Sequence, residues 1–262
     1  MAVYGFIGTG NMGGALARAA AKGGAELVLA DMNRASAEKL AADIGGRVAD
    51  NKTVAKEADF IFLGVKPQNA EELMADIRPV LMERSDEFTI VSFLAGKSIG
   101  YIRDLAGDSF PVIRLMPNTP VGVGEGMVLY ASEDVSDERL EEFLGVMKAG
   151  GRFQHLKESL IDAATAVTGC GPAYVDLFVE ALADGAVLLG VPRAQATEFA
   201  AQMVVGSAKL ILESGKHPGQ LKDAVCSPAG STIVGVKALE EGAFRATVMN
   251  AVIAAYEKNK KL

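Results

Sequence analysis

The sequence predicts an α/β protein in which a parallel β-sheet covered by helices is followed by an all-helical region. Short apolar runs rich in β-forming residues alternate with longer, alanine-rich stretches up to about residue 157. From residue 158 the strand-like runs disappear and apolar residues recur at helical spacing. We therefore expect two domains, at 1–157 and 158–262, in a chain of 262 residues that is half hydrophobic and long enough to bury a sizeable core.

Six apolar runs are expected to form the strands of the sheet. The order of strand, helix and strand is typical of parallel pairs, whose connecting helices cover both faces of the sheet. The runs are Val3–Ile7, Leu27–Ala30, Phe60–Val65, Thr89–Phe93, Val112–Met116 and Met127–Tyr130.

The expected helical region is punctuated by turns at Gly190–Pro192 and His217–Gly219. Within it, Asp176, Glu180 and Asp184 are four residues apart and share one helix face. Three such carboxylates could form a metal or acid–base site, but a solvated polar stripe is the better interpretation, and we expect no metal site.

Charge and cysteine content exclude several classes of protein. A net charge of -7 gives no general attraction for nucleic acid or a membrane surface. Cys170 and Cys226 are too few for a disulfide framework, so a reducing, cytoplasmic location is expected. Met1–Ile7 runs directly into a strand, so we expect no signal peptide, and acidic residues interrupt the apolar run after Tyr174, so we expect no membrane span.

A glycine-rich loop lies between the first expected strand and an alanine-rich helical stretch. Gly8, Gly10 and Gly13 have the spacing G-x-G-x-x-G. The first glycine permits a tight turn, the second lets the backbone approach a pyrophosphate, and the third lets the helix pack on the sheet. The N-terminus of that helix offers free amides and a partial positive charge to the phosphates. This context predicts a Rossmann-type dinucleotide-binding domain.

The residues after the second expected strand give conflicting signals about the cofactor. Asp31 would accept hydrogen bonds from a free ribose 2′-hydroxyl and favour NAD. Arg34 with Asn33 could instead hold a 2′-phosphate and favour NADP. Asp31 could also simply cap the following helix. Lys66, at the end of a further strand, lies where ligands of such sheets bind, although it could be an ordinary surface lysine.

Six further motifs, taken together in order and spacing, resemble those of the pyrroline-5-carboxylate reductases. They are Gly5–Met12, Leu63–Pro67, Met116–Pro120, Gly171–Tyr174, His217–Asp223 and Ser227–Thr232. The resemblance implies reduction of the cyclic imine 1-pyrroline-5-carboxylate to L-proline, the last step of proline biosynthesis. It also implies that the C-terminal helical domain interlocks with a second subunit, with active sites at the dimer interface.

The resemblance also implies which residues bind the cofactor, NADPH or NADH, and the substrate. Ser227, Gly230, Ser231 and Thr232 would meet the substrate. The cofactor would contact Ile7, Gly8, Thr9, Gly10, Asn11, Met12, Asn33, Arg34, Asn51, Gly64, Val65, Lys66, Pro67, Leu94 and Ala95.

Two positions depart from the family pattern. Ala229 stands where the family usually has the first of two glycines, and Cys170 stands where it usually has a serine. Alanine excludes the most strained glycine-only backbone, but Gly230 and both following hydroxyls are retained. We expect an intact site whose substrate fine-tuning is altered.

The predicted substrate turn suits the reduction of a C=N bond. Ser227 and Pro228 are expected to be the N-cap and first residue of a helix, whose free amides would cradle the substrate carboxylate. Thr232 would place its hydroxyl by the ring nitrogen and position the substrate or relay a proton. We expect this to raise the rate about 10- to 100-fold. The alternative is that these hydroxyls serve only as caps. We assign His217 and Cys226 structural roles.

Two other functions remain as alternatives. A β-hydroxyacid dehydrogenase would need a G-x-x-x-N-x-x-K helix motif, but Gly230–Lys237 has no asparagine at the required position. A non-catalytic dinucleotide-binding protein would have no chemical need of the substrate turn. The helical region is rich in Ala, Gly and Val and thinly polar, so we expect a homodimer or a larger assembly of dimers.

Overall fold

The computed structural model describes residues 1–107 and 110–260 and contains two compact units. The first unit is Met1–Gly169 together with the end of the chain from Tyr256, and the second is Cys170–Ala255. The boundary after residue 157 expected from the sequence stays a prediction.

The first unit is built on a single eight-stranded sheet. Its strands are β1 Val3–Ile7, β2 Glu26–Ala30, β3 Arg47–Val48, β4 Phe60–Leu63, β5 Thr89–Ser92, β6 Val112–Met116, β7 Gly126–Glu133 and β8 Gly151–His155. Its helices are α1 Asn11–Lys22, α2 Arg34–Ile44, α3 Asn51–Glu57, α4 Ala70–Met82, α5 Ile99–Ala106, α6 Asp137–Met147 and α7 Glu158–Thr168. Short 3₁₀ turns lie at Pro67–Asn69, Thr119–Val123 and Lys148–Gly150.

The strand order is β3-β2-β1-β4-β5-β6-β7-β8, and every pair from β3 to β6 is parallel. This confirms the expected α/β class, but the expectation of a wholly parallel sheet is wrong. β7 is antiparallel to β6, and β8 is parallel to β7. The chain between β6 and β7 holds only a 3₁₀ turn, and a parallel connection needs a crossover of a dozen or more residues.

Strand ends differ from the sequence pattern where the chain must turn. β4 ends at Leu63 instead of Val65, although the Gly64 amide still donates to the Ile7 carbonyl of β1, 2.7 Å away. β3 and β8 were not expected from the sequence. β3 has only two residues, and most of β8 is exposed, so neither carries the apolar pattern of a buried strand.

Both faces of the sheet are covered, as the alternation of strands and helices predicts. One face packs aromatic rings from β1 and β4, such as Phe6 and Phe62 with centroids 4.2 Å apart, and Phe143 of α6 joins this cluster. On the other face, α3 packs against β1 so closely that a Cβ on Gly5 would lie 2.5 Å from that of Ala58.

Buried polar groups fix the region beyond the carboxyl end of β6. The Arg114 guanidinium, 4% exposed, pairs with Glu158 at 3.1 Å and Asp162 at 2.7 Å, both on α7. Asn118 accepts from the Met127 amide at 3.0 Å and donates to the Thr168 carbonyl at 2.9 Å. These contacts hold α7 at both its first and its last turn, after which the chain enters the second unit.

The second unit is helical, as expected. It contains α8 Gly171–Leu188, α9 Arg193–Ser214, α10 Pro218–Ala224, α11 Ser231–Glu241 and most of α12 Phe244–Asn259. Within the described residues, α10, α11 and α12 bury no residue fully. Large apolar side chains are instead exposed on the helices of this unit, including Leu188 of α8 at 88% and Val234 of α11 at 63%.

Candidate functional site

The three glycines of the loop between β1 and α1 have different structural roles. Gly8 has a φ of +101°, and a Cβ there would lie 2.4 Å from the Gly64 carbonyl oxygen. A Cβ on Gly13 would lie 2.1 Å from the Gly8 carbonyl oxygen, so this glycine is required for α1 to pack against the loop. A Cβ on Gly10, in contrast, would contact no atom of the described residues within 4 Å. The fold itself therefore requires Gly8 and Gly13 but does not require Gly10.

The first turn of α1 is available to an anion. Gly10 is the N-cap and has no side chain to accept from the first-turn amides, and no acidic residue lies in that turn. The first amides of an α-helix lack intrahelical partners and carry a partial positive charge. A pyrophosphate beside Gly10 would meet these amides without displacing a protein group.

A cleft of about 1140 Å³ lies at the carboxyl ends of β1, β2 and β4. Such an edge is where open α/β sheets bind ligands. The cofactor residues expected from the sequence that line this cleft are Ile7, Gly8, Gly10, Arg34, Asn51, Gly64, Val65 and Lys66.

Seven other expected cofactor residues do not line the cleft. Leu94 is 2% exposed and packs in the core, whereas the neighbouring Ala95 is exposed. The remaining five lie within two residues of cleft residues in the chain and are Thr9, Asn11, Met12, Asn33 and Pro67. Their contacts with a cofactor stay predictions.

Other side chains of the cleft were not singled out from the sequence. They come from the start of α3 and from the region of α4, and are Lys52, Gln68, Asn69, Glu72 and Asp76. Their position after β3 and after β4 is the signal that could have identified them. Lys52 and Asp76 form an ion pair at 3.3 Å across this edge.

Asn51 begins α3, whose N-cap is Asp50. The Asp50 carboxylate accepts from the Thr53 amide at 2.7 Å, and this hydrogen bond lowers the pKa of Asp50. The side chain stays ionised at neutral pH and fixes the first turn of α3 at the rim of the cleft.

Asp31 is held within the protein by three hydrogen bonds. Its Oδ2 accepts from the Thr9 amide at 2.7 Å and from the Thr9 hydroxyl at 2.9 Å, and its Oδ1 accepts from the Asn33 amide at 2.9 Å. Helix α2 has Asn33 as its N-cap and no side-chain cap, so the interpretation of Asp31 as the cap of this helix is wrong.

Arg34 and Lys66 are the cationic residues of the cleft that the sequence singled out. The Arg34 side chain is 72% exposed and pairs with Glu38 at 2.8 Å, a surface contact that contributes little free energy. In the described part of the chain, no ion pair engages Lys66, which precedes the 3₁₀ turn at Pro67–Asn69. Both cations can approach an anionic ligand at low energetic cost.

The predicted substrate turn is a separate feature of the second unit. The Gly230 amide donates to the Ser227 carbonyl at 3.0 Å, and Ala229 has a φ of +59°. Proline at the second position and a left-handed third residue are typical of a type II turn. A Cβ on Gly230 would lie 2.4 Å from the Ser227 Oγ, so a larger residue here would force the Ser227 hydroxyl to move.

The expectation that Ser227 caps a helix with Pro228 as its first residue is wrong. Helix α11 begins at Ser231, and Gly230 is its N-cap. The left-handed backbone of Ala229 separates Pro228 from the helix. Even so, the first turn of α11 has no side-chain cap and no acidic residue, so its amides remain suited to a carboxylate.

The hydroxyl residues of this turn are accessible. Ser227, Ser231 and Thr232 are exposed, and among the described residues none of their hydroxyls has a hydrogen-bond partner. Lys237, which a β-hydroxyacid dehydrogenase motif would require as its lysine, pairs instead with Glu241 on the same helix.

His217 and the three carboxylates of α8 have the structural roles expected from the sequence. His217 is the N-cap of α10, where its Nδ1 accepts from the Gly219 amide at 3.0 Å and Gln220 completes a capping box, which confirms its structural role. Asp176, Glu180 and Asp184 are all exposed on α8, and Asp184 pairs with Arg193, which supports their interpretation as a polar stripe.

Within residues 1–107 and 110–260, no helix combines the length and apolarity needed to cross a bilayer.

The parallel sheet, the three-glycine loop and the helix N-terminus behind it define a Rossmann-type dinucleotide-binding protein. A family model described as NADP oxidoreductase, coenzyme F420-dependent, matches residues 3–96. A second, described as pyrroline-5-carboxylate reductase dimerisation, matches residues 158–262.

Similarity to known proteins extends over the whole chain. A pyrroline-5-carboxylate reductase of Methanosarcina acetivorans is 39% identical over 98% of this chain and 97% of its own length, and one of Escherichia coli is 41% identical with the same coverage. The crystal structure of a Plasmodium falciparum pyrroline carboxylate reductase with NADP bound has a TM-score of 0.87 and 33% identity, covering 100% of this chain and 99% of that one. The chain belongs to the pyrroline-5-carboxylate reductase family, which confirms the resemblance of its motifs.

Proposed function

We propose that the chain transfers a hydride from NADPH or NADH to the imine carbon of 1-pyrroline-5-carboxylate and releases L-proline. The observation that carries this proposal is membership of the family over nearly the whole chain, with both the dinucleotide loop and the substrate turn retained. The reaction is the last step of proline biosynthesis.

The residues around the loop fit a dinucleotide. Gly10 leaves room for the pyrophosphate, the first-turn amides of α1 bind its oxygens, and Lys66 adds a positive charge. Arg34 and Asn33 take the adenosine end, and the Gly64–Pro67 turn with Leu94 and Ala95 takes the remainder. The dinucleotide supplies the hydride, and the protein supplies orientation and electrostatic stabilisation.

The substrate turn orients the imine. The first-turn amides of α11 donate hydrogen bonds to the substrate carboxylate, with Ser227 and Ser231 as further donors. The Thr232 hydroxyl hydrogen-bonds the ring nitrogen and keeps it protonated as negative charge moves onto it. A threonine hydroxyl is a weak acid, so the imine enters already protonated and Thr232 acts by positioning and proton relay.

A homodimer completes the active protein. Many large apolar side chains of α8, α9, α11 and α12 are exposed, and the family's dimerisation model matches this part of the chain. We further propose an assembly of dimers, a domain boundary near residue 157 and a cytoplasmic location.

An imine-dependent absorbance assay tests the proposed function. The purified chain is mixed with NADPH or NADH, and the absorbance of the reduced dinucleotide is followed before and after 1-pyrroline-5-carboxylate is added. We expect oxidation only after the imine is added, with one L-proline released per dinucleotide consumed. Folded protein that binds the dinucleotide but gives no imine-dependent oxidation would be a non-catalytic binding protein.

A further inference from the structure

The Asp31 carboxylate joins the dinucleotide loop to the end of β2. Two of its three hydrogen bonds come from Thr9, which lies between Gly8 and Gly10 and is 8% exposed. The third comes from the Asn33 amide, on the other side of the same carboxylate. Bonds from neutral donors to an ionised carboxylate are stronger than those between neutral groups. One side chain therefore ties the residue that precedes Gly10 to the strand beside the loop.

The same contacts leave little of the carboxylate available to a ribose. A carboxylate has about four lone-pair sites, two on each oxygen. Thr9 occupies both sites of Oδ2, and Asn33 occupies one site of Oδ1. A ribose diol that is bound by both carboxylate oxygens needs one site on each. Asp31 could bind a diol in this way only by releasing Thr9.

The cationic side of the cleft carries no such restriction. Among the described residues, Arg34 is held by its exposed pair with Glu38 alone, one helical turn away on α2. Its guanidinium can release Glu38 and bind a phosphate with two parallel hydrogen bonds. Of the two residues whose signals conflict in the sequence, Arg34 is therefore the one that can meet a ligand without breaking contacts to the dinucleotide loop.

We infer that Asp31 is a positioning residue, which fastens the dinucleotide loop through Thr9 and does not read the ribose 2′ position. This inference rests on the proposed function, because it concerns the same dinucleotide site. The part of the dinucleotide that meets the loop is common to NADPH and NADH. A less firmly held loop therefore lowers the affinity for both cofactors by the same factor. Discrimination in favour of NADPH then falls to Arg34.

Binding of each dinucleotide without imine tests the inference. Isothermal titration calorimetry gives the Kd of NADPH and of NADH for the wild-type chain and for Thr9→Val. This substitution removes the Thr9 hydroxyl, keeps the shape of the side chain and leaves Asp31 unchanged. Thr9→Ser restores the hydroxyl. Thr165→Val is the matched control, because Thr165 also donates its hydroxyl, to the Ile161 carbonyl at 2.7 Å on α7, and does not line the cleft.

We expect Thr9→Val to raise both Kd values by the same factor, about five-fold for one charge-assisted hydrogen bond. Thr9→Ser should lie close to wild type, and Thr165→Val should change neither Kd. The inference is overturned if Thr9→Val shifts the ratio of the two Kd values more than about three-fold toward NADH, because a freed carboxylate would then be binding the ribose. Unchanged Kd values in Thr9→Val overturn it as well. A wild-type chain that binds neither dinucleotide contradicts the proposed function itself.

Discussion

At the scale of single residues, the loop glycines separate the requirements of the fold from those of a ligand. Gly8 and Gly13 are glycines because backbone atoms of the protein lie where a Cβ would be. Gly10 has no such neighbour among the described residues, and its φ of -63° is open to any residue. The spacing of the motif predicts all three roles, since each follows from backbone geometry that the sequence pattern encodes. The contact of Asp31 with Thr9 could not be predicted in the same way, because it depends on how β2 lies beside the loop.

Alanine substitutions at two of these glycines should affect different properties, dinucleotide affinity at Gly10 and stability at Gly13. Gly10→Ala should lower the free energy of unfolding by less than about 1 kcal/mol, the usual difference between these residues at an N-cap, while dinucleotide affinity falls at least about ten-fold. Gly13→Ala should cost about 1 to 3 kcal/mol of stability, since its Cβ meets the Gly8 carbonyl. Denaturant unfolding and calorimetric titration measure the two quantities. A Gly10→Ala variant that binds NADPH as well as wild type would contradict the role of Gly10.

The Thr232 hydroxyl should matter for turnover and not for dinucleotide affinity. Thr232→Ala should lower kcat/KM by about 1 to 3 kcal/mol of transition-state stabilisation, because one hydrogen bond to the substrate nitrogen is lost while the hydride donor remains. Thr232→Ser keeps the hydroxyl and should retain part of the activity. Steady-state kinetics and NADPH titration check both variants. Equal losses in the two would show that the methyl group or the backbone matters instead of the hydroxyl.

At the scale of elements, the substrate turn shows where a local sequence pattern can mislead. Ser-Pro is a common start for a helix, but the same Ser-Pro followed by a left-handed residue and glycine makes a type II turn. The sequence does not predict the turn, because it depends on a left-handed backbone at Ala229, and alanine does not normally adopt a positive φ. The direction of β7 could have been predicted, since the ten residues between the runs Val112–Met116 and Met127–Tyr130 are too few for a parallel crossover, whereas β8 is largely exposed and has no apolar pattern that would identify it.

The close contact between Gly230 and Ser227 predicts a rescue of stability. Gly230→Ala should destabilise the turn by about 0.5 to 1.5 kcal/mol, because its Cβ would lie 2.4 Å from the Ser227 Oγ and would force that side chain out of its rotamer. Adding Ser227→Ala removes that oxygen and should recover most of the loss. Thermal unfolding of the single and double variants measures this coupling. Purely additive changes would show that the two residues do not meet.

Relief of backbone strain at Ala229 gives a second prediction for the same turn. Ala229→Gly should raise the stability by about 0.5 to 1 kcal/mol, because a left-handed conformation costs alanine more than it costs glycine. Denaturant unfolding midpoints check this change. Glycine also makes the unfolded chain more flexible, which opposes folding. A lower midpoint for Ala229→Gly would mean that this entropic cost outweighs the relief of backbone strain.

At the scale of the whole molecule, the two units differ in how much of their apolar surface each buries within one chain. The first buries aromatic and aliphatic clusters on both faces of its sheet, whereas the second leaves Leu189, Phe199 and Ile253 largely exposed. The Ala, Gly and Val content of the helical region predicts this from the sequence alone, because such helices have few polar residues to face water. Which surfaces meet in the dimer was beyond the sequence, since that depends on the shapes of two folded partners.

The exposed apolar surface predicts association in solution. The chain should sediment as a dimer or a larger even-numbered assembly at micromolar concentration, because burying such helices against a second copy removes their apolar side chains from water. Sedimentation velocity over a range of concentrations measures the species present. A stable monomer throughout that range would contradict the proposed homodimer.

The most direct test of the central claim follows the hydride itself. The chain is incubated with 1-pyrroline-5-carboxylate and NADPH that carries deuterium on one or the other face of C4 of the nicotinamide, and the proline is analysed by mass spectrometry and NMR. We predict that one of the two labelled forms gives L-proline heavier by a single deuterium at C5, the former imine carbon, and that the other gives unlabelled L-proline. Unlabelled proline from both forms, or no proline from folded protein that binds NADPH, would contradict hydride transfer to the imine.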